Sequence, residues 1–289
     1  MPIVQISRIQ HRRGKRTDLP QLAAGELGWV VDEQRLFIGN GTVSDGAPAV
    51  GNTEIVTDGS SAFTSALSHT YKGYLGDSTP VTTAQQRSIG DRLDEYASVK
   101  DFGAKGDDST ADITAIQNAI DEIYKDTDKD DTRSRRVLFF PAGTYRINAA
   151  LKIPPYAHLV GEGPDKTIIR NSGNNAVMVM QDDEGNVGSN KGNSGATTPT
   201  QIQISNMTLR NTVAYGGISL DRVTKAFFNN VKFQGSYASG GADASTSKGV
   251  TVNHSNATYS TSNVTFNQCQ FTKFARLVDI SYNATNVRF

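Results

Sequence analysis

The chain of 289 residues has a single cysteine, Cys269, so no intrachain disulfide can hold its fold together. It also lacks an apolar run near the ~18–20 residues that a membrane helix needs, and no membrane insertion is expected. Neither sign of charge is in excess: 29 Lys and Arg balance 29 Asp and Glu. That balance argues against a protein that coats nucleic acid or a polybasic membrane protein, although a local patch stays open. Hydrophobic residues make up 37% and charged residues 20%, both on the low side. Neutral amides, hydroxyls and 27 glycines fill the gap, a mixture that suits turn-dense β architecture better than helix bundles. The run Met1 to Gln5 leads into charge rather than an apolar segment, so synthesis and assembly in a cytoplasm are expected.

What is present divides into stretches. In residues 1–50, Val4 to Gln10 alternates faces as a strand would. Leu27 to Val31 and Arg35 to Gly39 read as a strand pair joined by a turn at Asp32-Glu33-Gln34. Residues 51–97 begin with a polar link, Gly51 to Ser61. Two weakly helical stretches follow, Ala62 to Tyr74 and Ala84 to Tyr96, the second with a capping-box signal at Thr83 and Gln86. Its thin stripe of Ile89, Leu93 and Tyr96 predicts a linker or trimerisation helix rather than a self-contained core.

From residue 98 a stronger helix is predicted, capped by Ser109 or Thr110, with Ile113, Ile116, Ile120 and Ile123 on one face and the acidic run Asp126 to Asp131 as its end. Short β runs follow, each punctuated by Pro or Gly. Residues 182–200 are predicted to form a long loop. Beyond 201 a pattern of amide, apolar, polar, large apolar recurs at Asn206, Asn230, Gln268 and Asn286. The steps are 24, 38 and 18 residues, and the longest holds a Gly/Ala/Ser-rich insertion, Tyr237 to Ser247. A period of roughly 20–25 residues with short strands indicates a solenoid, and a parallel β-helix fits it better than leucine-rich repeats. Asparagine suits the corners, because it tolerates left-handed backbone and can pair with its copy in the next coil.

Three ordered motifs carry a resemblance. Val99-Lys100-Asp101-Phe102-Gly103-Ala104-Lys105-Gly106-Asp107 with Ala115-Ile116-Gln117, then Phe139-Phe140-Pro141-Ala142-Gly143-Thr144-Tyr145, then Leu159-Val160-Gly161-Glu162-Gly163, resemble the start of the pectate-lyase-like superfamily. Asp108 and Ala111 depart from its pattern. The resemblance implies a mainly β fold: a right-handed parallel β-helix over 98–289, with an N-terminal helix plugging its open end. Gln10 to Gly14, Leu22 to Gly28 and Phe37 to Gly41 resemble the small N-terminal module of phage tail fibres and receptor-binding proteins. Together they imply a bacteriophage tailspike or tail fibre protein, a homotrimer in the virion. Its 1–50 module would attach to tail or baseplate, 51–97 would link, and the β-helix would meet host-surface polysaccharide. A solenoid usually closes with a polar cap. None follows Asn286-Val287-Arg288-Phe289, so a longer chain, a partner or trimer mates are expected to cover that end.

Candidate site residues follow from charge. The cluster Arg8, Arg12, Arg13 and Arg16 could grip an acidic partner; Trp29 is read as core of the module or as an interface anchor. Glycoside hydrolysis needs two carboxylates ~5–9.5 Å apart. Between 201 and 289 only Asp221, Asp243 and Asp279 are available, which leaves Asp221 and Asp279 as weak catalytic candidates. A lyase would need a base beside a charge neutraliser; His254, Lys273 and Arg276 exist but form no motif. The reading is a structural attachment protein, with a glycan depolymerase as the alternative. Asp126, Asp128 and Asp130 match calcium-loop positions 1, 3 and 5, but Asp131 replaces the glycine and Val137 the terminal glutamate, so neither metal nor cofactor is expected.

Overall fold

A computed structural model describes residues 12–45, 50–55, 68–70, 86–88, 93, 95–125, 136–187, 197–238, 247–252, 260–280 and 284–289. Contacts divide the chain into two units, Met1–Asp94 and Glu95–Phe289. The strand expected at Val4 to Gln10, Arg8 and the acidic run Asp126 to Asp131 lie outside the described residues.

The first unit holds a four-stranded sheet in the order Arg12–Gly14, Leu27–Val30, Arg35–Gly39, Asn52–Ile55. The predicted hairpin is there: Leu27 faces Ile38 and Val30 faces Arg35 in antiparallel register. Its turn carries Gln34 in the left-handed region, φ 54°. The sheet extends past the expected boundary at residue 50. Asn52–Ile55 lies in the segment expected to be a polar link, yet it pairs with the hairpin, and the Asn52 side chain accepts from the Leu22 N–H and donates to the Pro20 carbonyl. A polar residue that ties a loop to an edge strand gives no periodic signal. The small core is Leu22, Val30 and Phe37, with Leu19 packed against it. Within the expected linker helices two described segments are strands instead, Ser68–Thr70 paired antiparallel with Gln86–Ser88, whereas Leu93 is helical and Glu95 and Tyr96 lie in a turn and a bend. The stripe of Ile89, Leu93 and Tyr96 is too thin to commit the second stretch to a helix throughout, and of the paired residues only Thr70 has a strand preference.

The second unit stacks strands in parallel from coil to coil. One column runs Ala97–Ser98, Val137–Phe140, His158–Gly161, then the starts of Ile202–Asn211 and Ala226–Gln234, then Thr261–Asn267 and Ala284–Arg288. A second runs Asp107–Ala111, Gly143–Ile147, Thr167–Asn171, the ends of the two long strands, and Gln270–Thr272. A third runs Leu151–Ile153, Met178–Met180, Ile218–Leu220, Lys248–Val252, Arg276–Ile280. Alternate residues point inward, and the buried ones form one continuous cluster from Val99 to Phe274.

Left-handed corners join the first two columns: Asn206, Asn230 and Gln268 all have φ near +52 to +56°. As expected of asparagine, Asn230 Nδ2 donates to Asn206 Oδ1 across the coil gap at 2.9 Å. The fourth sequence repeat belongs elsewhere. Val287 pairs with Val264, so Asn286 matches Asn263, at 2.6 Å, and not Gln268. Gln201, Asn263 and Asn286 begin the same amide-apolar-polar-apolar signature at a second left-handed corner, and linear spacing cannot tell the two corners apart. The repeating position before the first column is Gln201, Lys225, Asn263, Asn286, with steps of 24, 38 and 23 residues. Inside, Phe266 stacks between Phe228 and Phe289 at 4.7 and 4.8 Å.

The helix spans Ile113–Tyr124, and its Ile116, Ile120 and Ile123 are buried as predicted. Its start is later than predicted. Ser109 and Thr110 lie in the strand Asp107–Ala111, and Asp112 occupies the N-cap position without a side-chain cap. The buried Asp112 carboxylate instead accepts from the N–H groups of Lys105 (2.7 Å) and Gly106 (3.2 Å), fastening the loop before the strand. Tyr124 ends the helix as a hook: its hydroxyl donates towards the carbonyls of Arg136 and His158 and accepts from the Leu138 N–H.

Candidate functional site

In the N-terminal sheet, the described members of the basic cluster have different neighbours. Arg12 pairs with Glu26 at 2.6 Å, Arg16 lies over the Phe37 ring at 4.6 Å, and the Arg16 N–H donates to Asp32. Arg13 is exposed and makes no ion pair among the described residues. Arg12, Arg13, Asp18 and Pro20 line a small cleft of about 230 Å³. Trp29 is half-buried and stands outside the Leu22, Val30, Phe37 core.

The structure does not bring Asp221 and Asp279 together. Asp279 faces Thr251 and, one coil earlier, Ser219, so Asp221 is two rungs and two residues away. At ~4.8 Å per rung and ~3.3 Å per residue, that is a backbone separation of about 12 Å. Asp279 is held by Lys248, with Arg276 at 4.0 Å. His254 and Asp243 lie outside the described residues.

A groove of about 630 Å³ opens beside the second column and is lined by Arg210, Gln234, Ser236, Tyr237 and Lys273 among others. Arg210 Nε donates to Gln234 Oε1 at 2.6 Å, which fixes the guanidinium. Lys273 is exposed at a left-handed corner, φ 56°. The coils approach closely here because Gly235 has no side chain: a Cβ would collide with the Lys273 carbonyl and the Phe274 ring. None of the described lining residues is acidic. Sequence reasoning noted Lys273 but missed Arg210, Gln234 and Tyr237. Their only available signal was register: Arg146, Arg170, Arg210, Gln234 and Thr272 occupy one outward position in successive coils.

Several titrating groups are shifted by their surroundings. The backbone N–H groups of Thr110 and Ser109 hold the Asp107 carboxyl far below the usual range, so it stays ionised. Burial lowers His158, which favours the neutral imidazole. Burial raises the Cys269 thiol, which donates towards the carbonyls of Phe228 and Asn267, so it is a packing group rather than a nucleophile. Among the described residues no three His, Cys, Asp or Glu side chains gather as metal ligands.

The coil order defines a β-helix domain, and a family model places it. The rhamnogalacturonase A/epimerase, pectate lyase-like model matches residues 96–286, and the chain belongs to that family. The model of the Major tropism determinant N-terminal domain matches residues 9–43, where the glycine-rich N-terminal motifs lie. Among curated relatives, "Alginate lyase 7" of Azotobacter vinelandii is 39% identical over 83 residues, covering 26% of this chain and 9% of that protein. Among solved structures, tailspike protein 3 of bacteriophage CBA120 is similar at a TM-score of 0.49 and 13% identity, over 90% of this chain and 47% of that one. ORF18 of Geobacillus virus E2 is similar at 0.45 and 16% identity, over 96% and 54%. The chain thus spans under a tenth of that curated relative and about half of each viral protein.

Proposed function

We propose that this protein is a structural component of a phage tail, a tailspike or tail fibre. Its N-terminal module attaches to tail or baseplate, and its β-helix meets host-surface glycan, in a homotrimer assembled in the host cytoplasm. The observation that carries this reading is the pairing in one chain of a tropism-determinant module at 9–43 with a pectate lyase-like body at 96–286. The exposed Arg13 and the cleft beside it suit an acidic partner surface, and Trp29, half-buried outside the small core, is a further candidate contact. In this reading 1–50 attaches, 51–97 links and 98–289 forms the body with its helix as plug. The test is to delete residues 1–50 in the phage and quantify the protein in purified particles by mass spectrometry. Loss from particles is expected; full incorporation refutes the attachment role.

The family, with its alginate lyase relative, favours one second reading, a depolymerase acting on capsule or O-antigen. The absence of acids among the described residues that line the Arg210–Lys273 groove supports binding over hydrolysis there. Incubation with host polysaccharide separates the two: new reducing ends or unsaturated sugars would establish cleavage.

A further inference from the structure

We infer that the outward face of the second column, ending in the Arg210–Lys273 groove, is a binding site for an anionic glycan whose negative charges recur along its length. This rests on the β-helix being the glycan-facing body. Arg146, Arg170 and Arg210 stand at the same outward position in three successive coils. Rungs of a parallel sheet lie ~4.8 Å apart, so three like charges are stacked on one line. Such a ladder opposes folding unless acids neutralise it or a ligand uses it. Neutralisation is incomplete. Arg170 pairs with Asp108 at 2.6 Å, but among the described residues Arg146 reaches only the Ser109 carbonyl and Arg210 only the Gln234 amide oxygen.

The neighbouring groups continue the imbalance. Lys232, on the same face two residues before Gln234, pairs with the exposed Asp165. Asp107 closes on its own turn through Ser109 and Thr110. Lys273 has no ion-pair partner among the described residues, and none of the described residues lining the groove it shares with Arg210 is a carboxylate. Arg210 is held by a bond from Nε, which leaves its two terminal nitrogens as a planar fork for a carboxylate or phosphate. Tyr237 in the same lining supplies an aromatic body with a polar tip, suited to a sugar ring. A protein that bound neutral sugar here would have no need to retain unpaired cations at this spacing.

The test uses the purified full chain and calorimetric titration with three probes: a hyaluronate oligosaccharide (carboxylate), poly(glycerol phosphate) (phosphodiester) and neutral dextran. Binding to at least one anionic probe and not to dextran is expected. It should weaken about tenfold or more between about 0.05 M and about 0.5 M salt, as charge pairing at an open groove requires. Which anionic probe binds identifies the carrier of the charge. The variant Lys273→Asn keeps a residue that tolerates the left-handed corner, and Arg210→Gln keeps a hydrogen-bonding side chain. Each should weaken binding about tenfold with an unchanged melting temperature, and Arg210→Lys should recover part of the loss. No binding to either anionic probe, equal binding to dextran, or undiminished affinity in the folded double variant overturns the inference. Particle incorporation does not depend on this result, so the two readings fail separately.

Discussion

Tyr124→Phe removes one oxygen atom and tests how the helix is fastened to the coils. The side chain is 4% exposed, so water cannot replace the hydroxyl. That hydroxyl donates towards the Arg136 and His158 carbonyls at 2.6 and 2.7 Å and accepts from the Leu138 N–H at 3.1 Å. Phenylalanine keeps the ring packing, so the loss is the polar network alone. Leaving buried groups without this partner costs ~1–3 kcal/mol, and we take about 2. For a body of this size that lowers the melting temperature by roughly 4–8 °C. The assay is thermal unfolding followed by circular dichroism. A second reading comes from pH. Burial pushes the Tyr124 phenol well above its ordinary value of 10.0. Above about pH 10 the unfolded chain releases this proton while the folded chain keeps it, so stability falls as pH rises, by at most ~1.4 kcal/mol per pH unit. The phenylalanine variant should lose part of that alkaline slope. A shift under about 1 °C at neutral pH together with an unchanged alkaline slope would refute the account of the hook.

Other perturbations address separate features. Tyr145, pushed up to about 12 by burial and then by the Asp112 and Glu162 carboxylates, should add to the same alkaline loss between pH 10 and 12; in Tyr145→Phe, denaturant titration across that window should show a shallower fall. Asn230→Val places a β-branched residue at φ 53° and removes the bond to Asn206, so denaturant melts should show ~2–3 kcal/mol lost, with Asn230→Gly milder. Gly235→Ala forces a Cβ onto the Lys273 carbonyl, so titration and melting should show reduced stability and weakened groove binding together. Arg12→Ala breaks an ion pair whose arginine is 61% exposed and should change the melt by less than ~1 kcal/mol. Any large effect on particle incorporation would therefore report a lost partner contact.

The interior was the legible part. Short β runs, turn glycines and an amide period predicted the stacked coils, because inward residues must be apolar and corner residues must tolerate positive φ. The isoleucine face of the helix was legible for the same reason. Its beginning was not: Asp107 to Ala111 looks like a cap region, but Asp108 adopts φ 61° and the segment pairs with Thr144 and Arg146. That pairing joins residues more than 30 positions apart, which no local pattern records. The Arg210 groove escaped notice likewise. Arg146, Arg170 and Arg210 are unremarkable singly in the sequence, and become one line of charge only when the coil register is known.

A solenoid imposes a rule on its exterior that a compact globule does not. Every outward residue meets its counterpart ~4.8 Å away in the next coil, so surface chemistry comes in ladders. Amides satisfy this geometry well, since each can donate to one neighbour and accept from another. Asn267 donates to Asn229 at 2.7 Å and Asn286 to Asn263 at 2.6 Å. Like charges satisfy it badly, because stacking repeats the repulsion at each rung. The neutral exterior built on amides and hydroxyls therefore follows from the fold. The arginine line at 146, 170 and 210 does not, since one aspartate at 108 answers only its middle member. A face that departs from this solution at three consecutive rungs, and does so beside a groove with no acid among its described lining residues, is where recognition should be sought.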